Sequence, residues 1–190
     1  MYIPKHFIMS DVQEIKELIL NYPLAQIFYQ VDGQLQCEAI PTIVDWKSGD
    51  LGCIEGHISR SNPLAEQGAI DVLATYRGRS YYVSPSLYRR KAIDGKVVPT
   101  WNFEVLQISG TFTVVESSDW LMQHLETFTR QMEKDQENPW SVSDAPSQFT
   151  TQIMKGITGF KIQIHDIQAK KKMSQNRSED DQKRIFDAHH

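Results

Sequence analysis

The stretch from Leu24 to Val115 limits the possible folds more than any other part of the chain. It opens with Leu24-Ala-Gln-Ile-Phe-Tyr-Gln-Val31, breaks at Asp32-Gly33 and resumes with Gln34-Leu-Gln-Cys-Glu-Ala-Ile40. Asp-Gly suits a two-residue primed turn, because both central positions of a type I′ turn need positive φ, so the segment predicts a β-hairpin. Further strand-like pieces follow at Thr42–Asp45, Leu51–His57, Ile70–Tyr76, Ser80–Ser84 and Val105–Val115. Turn signals stand at Lys47–Asp50, Arg77-Gly78 and Asp94-Gly95. About six or seven such strands in roughly 90 residues predict a closed or half-closed antiparallel barrel.

Helical periodicity flanks this region. Ser10 and Gln13 have the spacing of a capping box, and Val12, Ile15, Leu18, Ile19 and Tyr22 then recur on one face until Pro23 stops the run. Trp120, Leu121, His124, Leu125, Phe128 and Met132 form a second stripe, and Phe149, Ile153, Met154 and Ile157 a shorter third one. Gly159–Ile167 alternates apolar and polar residues and predicts a last strand. The expected organisation is one α+β domain over residues 1–177, followed by a charged, partly helical tail at 178–190. His189 and His190 are set aside from the functional reading.

Composition narrows the function. With 20 Lys and Arg against 24 Asp and Glu, the net charge is −4, which excludes a uniformly basic nucleic-acid-binding coat. Apolar runs are only a few residues long, so no membrane span is expected. No charged segment followed by an apolar stretch opens the chain, and Cys37 and Cys53 have no metal-ligand spacing. A reduced, cytoplasmic protein without a metal centre is the expectation. The GxSxG, HExxH, P-loop and GxGxxG motifs are absent, and with them the chemistries those motifs signal.

The positive charge is nevertheless concentrated. Arg77, Arg79, Arg89, Arg90, Lys91 and Lys96 lie in one stretch, and Lys155, Lys161, Lys170, Lys171, Lys172 and Arg177 in another. Either stretch could form a local anion site or simply a solvated face. Gly56-His-Ile-Ser-Arg-Ser-Asn-Pro63 gathers imidazole, hydroxyl, guanidinium and amide donors directly after a strand. If Asn62-Pro63 opens a helix this is a setting for phosphate, and the alternative is that Ser61 or Asn62 merely caps it. In Tyr82-Val-Ser-Pro-Ser-Leu-Tyr88, Ser84 and Ser86 flank Pro85, which ends a strand and turns hydroxyls and tyrosine rings toward one place. Val98-Pro-Thr-Trp-Asn102 offers the flat face of Trp101 between short polar arms, which suits a planar ring unless Trp101 is a core residue. In Ala169–Arg177, a strand would point Lys170 and Lys172 to one side and Lys171 to the other.

Taken together, Met1–Lys5, Gly56-His57 with Arg60, Asn62 and Pro63, Tyr82–Pro85 with Tyr88, Lys96–Asn102, Pro139-Trp140, Val142–Pro146, Gly159-Phe160, and Lys170, Lys172 and Ser174–Arg177 resemble the PaiB family of FMN-binding negative transcriptional regulators. The resemblance runs in order over residues 1 to about 177. It implies an α+β, FMN-binding split β-barrel, Greek-key and antiparallel, with flanking helices, of the kind seen in pyridoxamine-phosphate oxidases. It also implies a homodimer. By that likeness His57, Ser59, Arg60 and Asn62 would hold the FMN phosphate. Tyr82, Ser84, Thr100, Trp101 and Asn102 would line the ring and ribityl chain, joined by Lys172, Ser174 and Gln175 of the partner subunit. The chain departs from the family's usual pattern at Ala39, Ser80 and Gln107, where His is common, and at Leu87, where Trp is. The implied function is regulatory, with any DNA contact made through the local basic patches. The alternative is an enzyme, a flavin-dependent oxidoreductase or a haem-handling split barrel.

Overall fold

The structure, a computed structural model, describes residues 1–189; His190, which ends the predicted tail, lies outside them. The hairpin forms as its turn chemistry requires. Asp32 and Gly33 take φ of 51° and 77°, and Val31 pairs with Gln34. Strands β1 (Leu24–Val31) and β2 (Gln34–Asp45) run antiparallel from that turn to the Leu24–Pro41 pair. Ala25, Ile27 and Tyr29 alternate inward along β1. β2 takes in the separately expected piece at Thr42–Asp45, and those residues pair with β3 (Cys53–Ser59).

Strand β4 (Ile70–Val83) corrects one expectation. Arg77 and Gly78 do not turn; both lie inside a continuous strand that joins the two pieces expected at 70–76 and 80–84. The glycine has a different reason: a Cβ at position 78 would stand 2.9 Å from the Glu104 carboxylate. A missing side chain in a strand here makes room for a neighbour. β5 (Thr100–Val115) and β6 (Ile157–Lys172) also run longer than their alternation predicts. Around the barrel the strands follow in the order β1-β2-β3-β6-β5-β4 and close on β1. The link from β3 to β4 separates two three-stranded runs, β1 to β3 and β4 to β6, and the long connection from β5 to β6 precedes the strand that lies beside β3.

Helix α1 (Val12–Asn21) begins one residue later than its capping-box spacing suggests. Asp11, not Ser10, is the cap, its carboxylate accepting from Gln13 N at 2.8 Å. α2 (Arg90–Ile93) is a single turn ending at Gly95, whose φ is 68°. α3 (Ser118–Glu133) is capped by Ser117 and α4 is Ser147–Met154. α5 (Glu179–Asp187) is capped by Ser178 and carries Glu179, Asp180 and Asp181 in its first turn, where negative charge suits the helix dipole. No helix among the described residues is long and apolar enough to cross a membrane.

The chain divides into two compact units. The barrel unit comprises Pro23–Thr75 and Ile108–Ile167; the terminal unit comprises Met1–Tyr22, Tyr76–Gln107 and Gln168–His190. In the barrel unit, Ile27, Ile54, Ala74, Ile108, Phe112, Phe160 and Ile162 are fully buried. Phe112 and Phe160 stack with ring centroids 5.1 Å apart. Gly56 lets the Phe160 ring approach, since a Cβ there would meet it at 2.4 Å. In the terminal unit Val83, Tyr88 and Ile185 of α5 form one buried cluster, with Tyr81, Leu87 and Val97 against it. Leu87, one of the departures from the family pattern, is thus a packing residue.

Candidate functional site

In the barrel unit, β3 carries His57 and ends at Ser59, just before Arg60 and Asn62. His57 pairs in register with Gly159 of β6. A Cβ on Gly159 would lie 2.2 Å from Trp120, so the bare glycine lets α3 settle on the sheet. Trp120 in turn stacks on His124 one helical turn later, at 5.2 Å and 6° between planes. His124 is 3% exposed, and its Nε2 stands 3.2 Å from His57 Nδ1. Phe128 meets the His57 ring edge-on at 6.1 Å. Burial lowers the pKa of His57. Burial, followed by the nearby His57, lowers that of His124 to about 4. Burial thus favours the neutral form of both imidazoles, and among the described residues His124 Nδ1 has no hydrogen-bond partner.

The other three predicted phosphate residues have local partners. Ser59 Oγ accepts from Ser61 N at 3.2 Å. Asn62 Oδ1 accepts from Leu64 N at 2.9 Å and caps a single 3₁₀ turn, Pro63–Glu66. The capping alternative is what the structure shows, and the turn is too short to act as a helix N-terminus. Arg60 N donates to Gly156 O at 2.9 Å, and its Nη1 forms an ion pair with Glu116 Oε2 at 2.9 Å.

In the terminal unit several predicted residues do come together. Lys172 Nζ donates to Thr100 Oγ1 and, at 2.6 Å, to Trp101 O. Ser174, at φ 65°, donates its hydroxyl to Asn102 Oδ1 at 3.0 Å. Asn102 is 0% exposed. These contacts lie within one chain and tie the end of β6 and Ser174 to the start of β5. Gln175 folds back on its own segment, accepting from Met173 N and donating to Lys171 O. Lys171 reaches Glu14 instead, as strand alternation predicts. Burial, then the charges of Lys170 and Arg177, lower the Lys172 pKa.

Trp101 is not a core residue. It is 51% exposed, its Nε1 donates to Ser80 Oγ at 2.8 Å, and its ring meets that of Tyr82 at 6.2 Å. Tyr82 is 49% exposed, whereas Tyr88 is buried. The two tyrosines around Pro85 therefore do not converge. Ser84 caps the 3₁₀ turn Pro85–Leu87 through Ser86 N at 3.2 Å.

Many of the basic residues are already engaged. Arg79 pairs with Glu104, Arg89 with Asp180 of α5 and Arg90 with Asp94. Lys161 pairs with Glu55. Their partner acids come from several elements of the fold. Sequence reasoning missed Glu116, Ser80 and the His57–His124 pair. Only the last had a signal, His124 standing on the same helical stripe as Trp120 and Phe128.

A family model described as "Putative FMN-binding domain" matches residues 1–166. Over 189 residues the chain is 31% identical to protease synthase and sporulation protein PAI 2 of Bacillus subtilis, covering 98% of this chain and 88% of that one. The chain belongs to the PaiB family. An uncharacterized protein of Emericella nidulans is 29% identical to this PaiB-family chain over 95% of it and 87% of its own length. Among solved structures, the FAD and heme binding protein of Mycobacterium smegmatis is similar at TM-score 0.64 and 13% identity, covering 96% of this chain and 80% of that one. The flavocytochrome Anf3 of Azotobacter vinelandii is similar at TM-score 0.63 and 13% identity, over 95% and 77%. At such identity the likeness is one of fold, and the fold is the split β-barrel. FMN is the cofactor of the domain that the family model describes. Lys172, Ser174 and Gln175 lie beyond the matched residues.

Each unit, taken by itself, carries donors that suit one part of that cofactor. A phosphate needs a guanidinium and hydroxyl donors, which Arg60 and Ser59 have; a hydroxyl that accepts one bond keeps its own proton to give. A flat ring needs an uncovered aromatic face with polar groups at its rim, which the neighbourhood of Trp101 has.

Proposed function

We propose that this PaiB-family chain is an FMN-binding homodimer that acts as a negative regulator of transcription. One observation carries the FMN part: a bare aromatic face lies beside polar groups that hold one another in place. Trp101 and Tyr82 are half-exposed, while Thr100, Asn102, Lys172 and Ser174 are tied together. Fixed donors next to an uncovered ring lose little freedom when a planar ligand arrives. Lys172 would donate at the rim of the flavin, and Ser84 and Gln175 would belong to the surrounding wall. When bound, FMN supplies the redox chemistry of its ring, and this chain supplies position and field.

His57, Ser59, Arg60 and Asn62 would hold the phosphate. Arg60 is the principal charge among them, and charge-assisted bonds are the strong ones. The test is an FMN titration followed by flavin fluorescence. Arg60→Ala is expected to lose about 1.5–3 kcal/mol of affinity, the scale of a hydrogen bond to a charged group. Equal affinity would move the phosphate elsewhere.

Ile93, Val98 and Trp101 leave large apolar surface exposed in the terminal unit, which supports a second copy as its cover. Light scattering across a concentration series tests the dimer, and a monomer throughout would remove it. DNA contact would use the 77–96 and 170–177 stretches. Arg89 and Lys171 would first have to leave Asp180 and Glu14. Operator binding should weaken steeply with salt, and a flat response would remove DNA as a partner.

A further inference from the structure

Arg60 is held at two points. Its backbone N–H bonds to Gly156 O at 2.9 Å, which anchors the root of the side chain, and its guanidinium meets Glu116 at 2.9 Å. Glu116 stands in the link between the end of β5 and the Ser117 cap of α3. The pair lines a cleft of about 470 Å³ whose walls include Leu121, Met154 and Lys155. Lys155 is the cleft's second cation, and Asp119 its second carboxylate.

The ion pair is open to water, with the Glu116 side chain 69% exposed and that of Arg60 44%. An exposed pair of this kind shifts an equilibrium by no more than about fivefold, so it yields readily to a stronger anion. The phosphate of FMN is such an anion, carrying nearly two negative charges where the carboxylate carries one. A displaced Glu116 carboxylate would stay close to the positive end of α3, a helix of 16 residues, where negative charge is favoured.

We infer that Glu116 is a resident counter-anion at Arg60, so that the FMN phosphate binds there by exchange with the carboxylate and Glu116 sets how tightly the phosphate is held. The inference rests on the FMN reading above. Glu116 spares Arg60 an unpaired state when no flavin is bound, and it weakens the hold on FMN when one is. It acts on the phosphate alone, because unphosphorylated riboflavin has nothing to exchange.

The experiment is a titration of FMN and of riboflavin into the full chain, its Glu116→Gln and Arg60→Ala variants, and the double variant, at low ionic strength where exposed charges are least screened. FMN is expected to bind about three- to fivefold more tightly to Glu116→Gln than to the unaltered chain. Riboflavin affinity should change by less than about twofold, since it lacks the charge that the exchange involves. In the Arg60→Ala background, Glu116→Gln should make no further difference. If Arg60→Ala weakens FMN but Glu116→Gln leaves FMN unchanged, or shifts riboflavin equally, the exchange is overturned while the FMN reading stands. If FMN is indifferent to Arg60→Ala, or does not bind, that reading falls and takes the exchange with it.

Discussion

The end of β3 and the segment Thr100–Asn102 carry similar polar residues and put them to different use. Around Thr100–Asn102 the side chains bond to one another: Lys172 to Thr100 and the Trp101 carbonyl, Ser174 to Asn102. The result is a tied group with an aromatic face left uncovered. At the end of β3 each donor turns to a different neighbour: His57 to His124, Ser59 to Ser61, Asn62 to Leu64 and Arg60 to Glu116. The comparison shows that a cluster of donors in sequence need not be a cluster in space. Residues far apart in the chain can form the tighter group, because a strand pair brings them side by side while a tight turn makes its residues satisfy their own backbone.

The largest expected contrast is in acid. Both imidazoles of the His57–His124 pair have lowered pKa values in the fold, so the unfolded chain binds protons more readily. Their contribution is complete above the ordinary histidine pKa of 6.5 and is lost as the pH falls toward about 4. For His124 alone the loss should approach about 3 kcal/mol, read from denaturant midpoints across that pH range. His124→Phe keeps a ring against Trp120 and should flatten the profile; an unchanged slope would place the acid sensitivity elsewhere.

Asn102→Ala comes next. It removes a fully buried side chain and leaves the Ser174 hydroxyl without its partner, at a cost of about 2 kcal/mol in denaturant stability. A near-neutral result would mean that the tied group is not what fixes this segment. Trp101→Ala should have the smallest effect on stability, within about 0.5 kcal/mol for a half-exposed side chain, while FMN binding weakens measurably. If stability falls and FMN binding does not, Trp101 is a packing residue and the contrast between the two regions disappears.

Much of the fold was legible beforehand. The β1–β2 turn followed from Asp32-Gly33 because few other pairs take two positive φ values. α3 followed from its stripe, and the two faces of Lys170–Lys172 from strand alternation. Gly78 misled for a physical reason. Glycine signals a turn and a close approach with the same letter, and only the position of Glu104 tells them apart. Ser10 misled because Asp11 offers an equally good cap one residue later. Among the site residues, Trp101 and Asn102 could be picked out by type, but their exposure could not. One is half bare and the other entirely buried, although they are adjacent, because neighbours on a strand face opposite ways.

Local chemistry alone settled which stretches are strand and which helix, though not their exact ends, since turns, caps and periodicity act over a few residues. The PaiB resemblance could be seen in the residues for the same reason, as a set of short motifs in order. Which charges meet was decided only by the folded chain. Arg60 finds Glu116, Arg89 finds Asp180 and Lys172 finds Thr100 across separations of 56 or more residues. A side chain's partner depends on which strands and helices lie beside it, and no short-range preference encodes that.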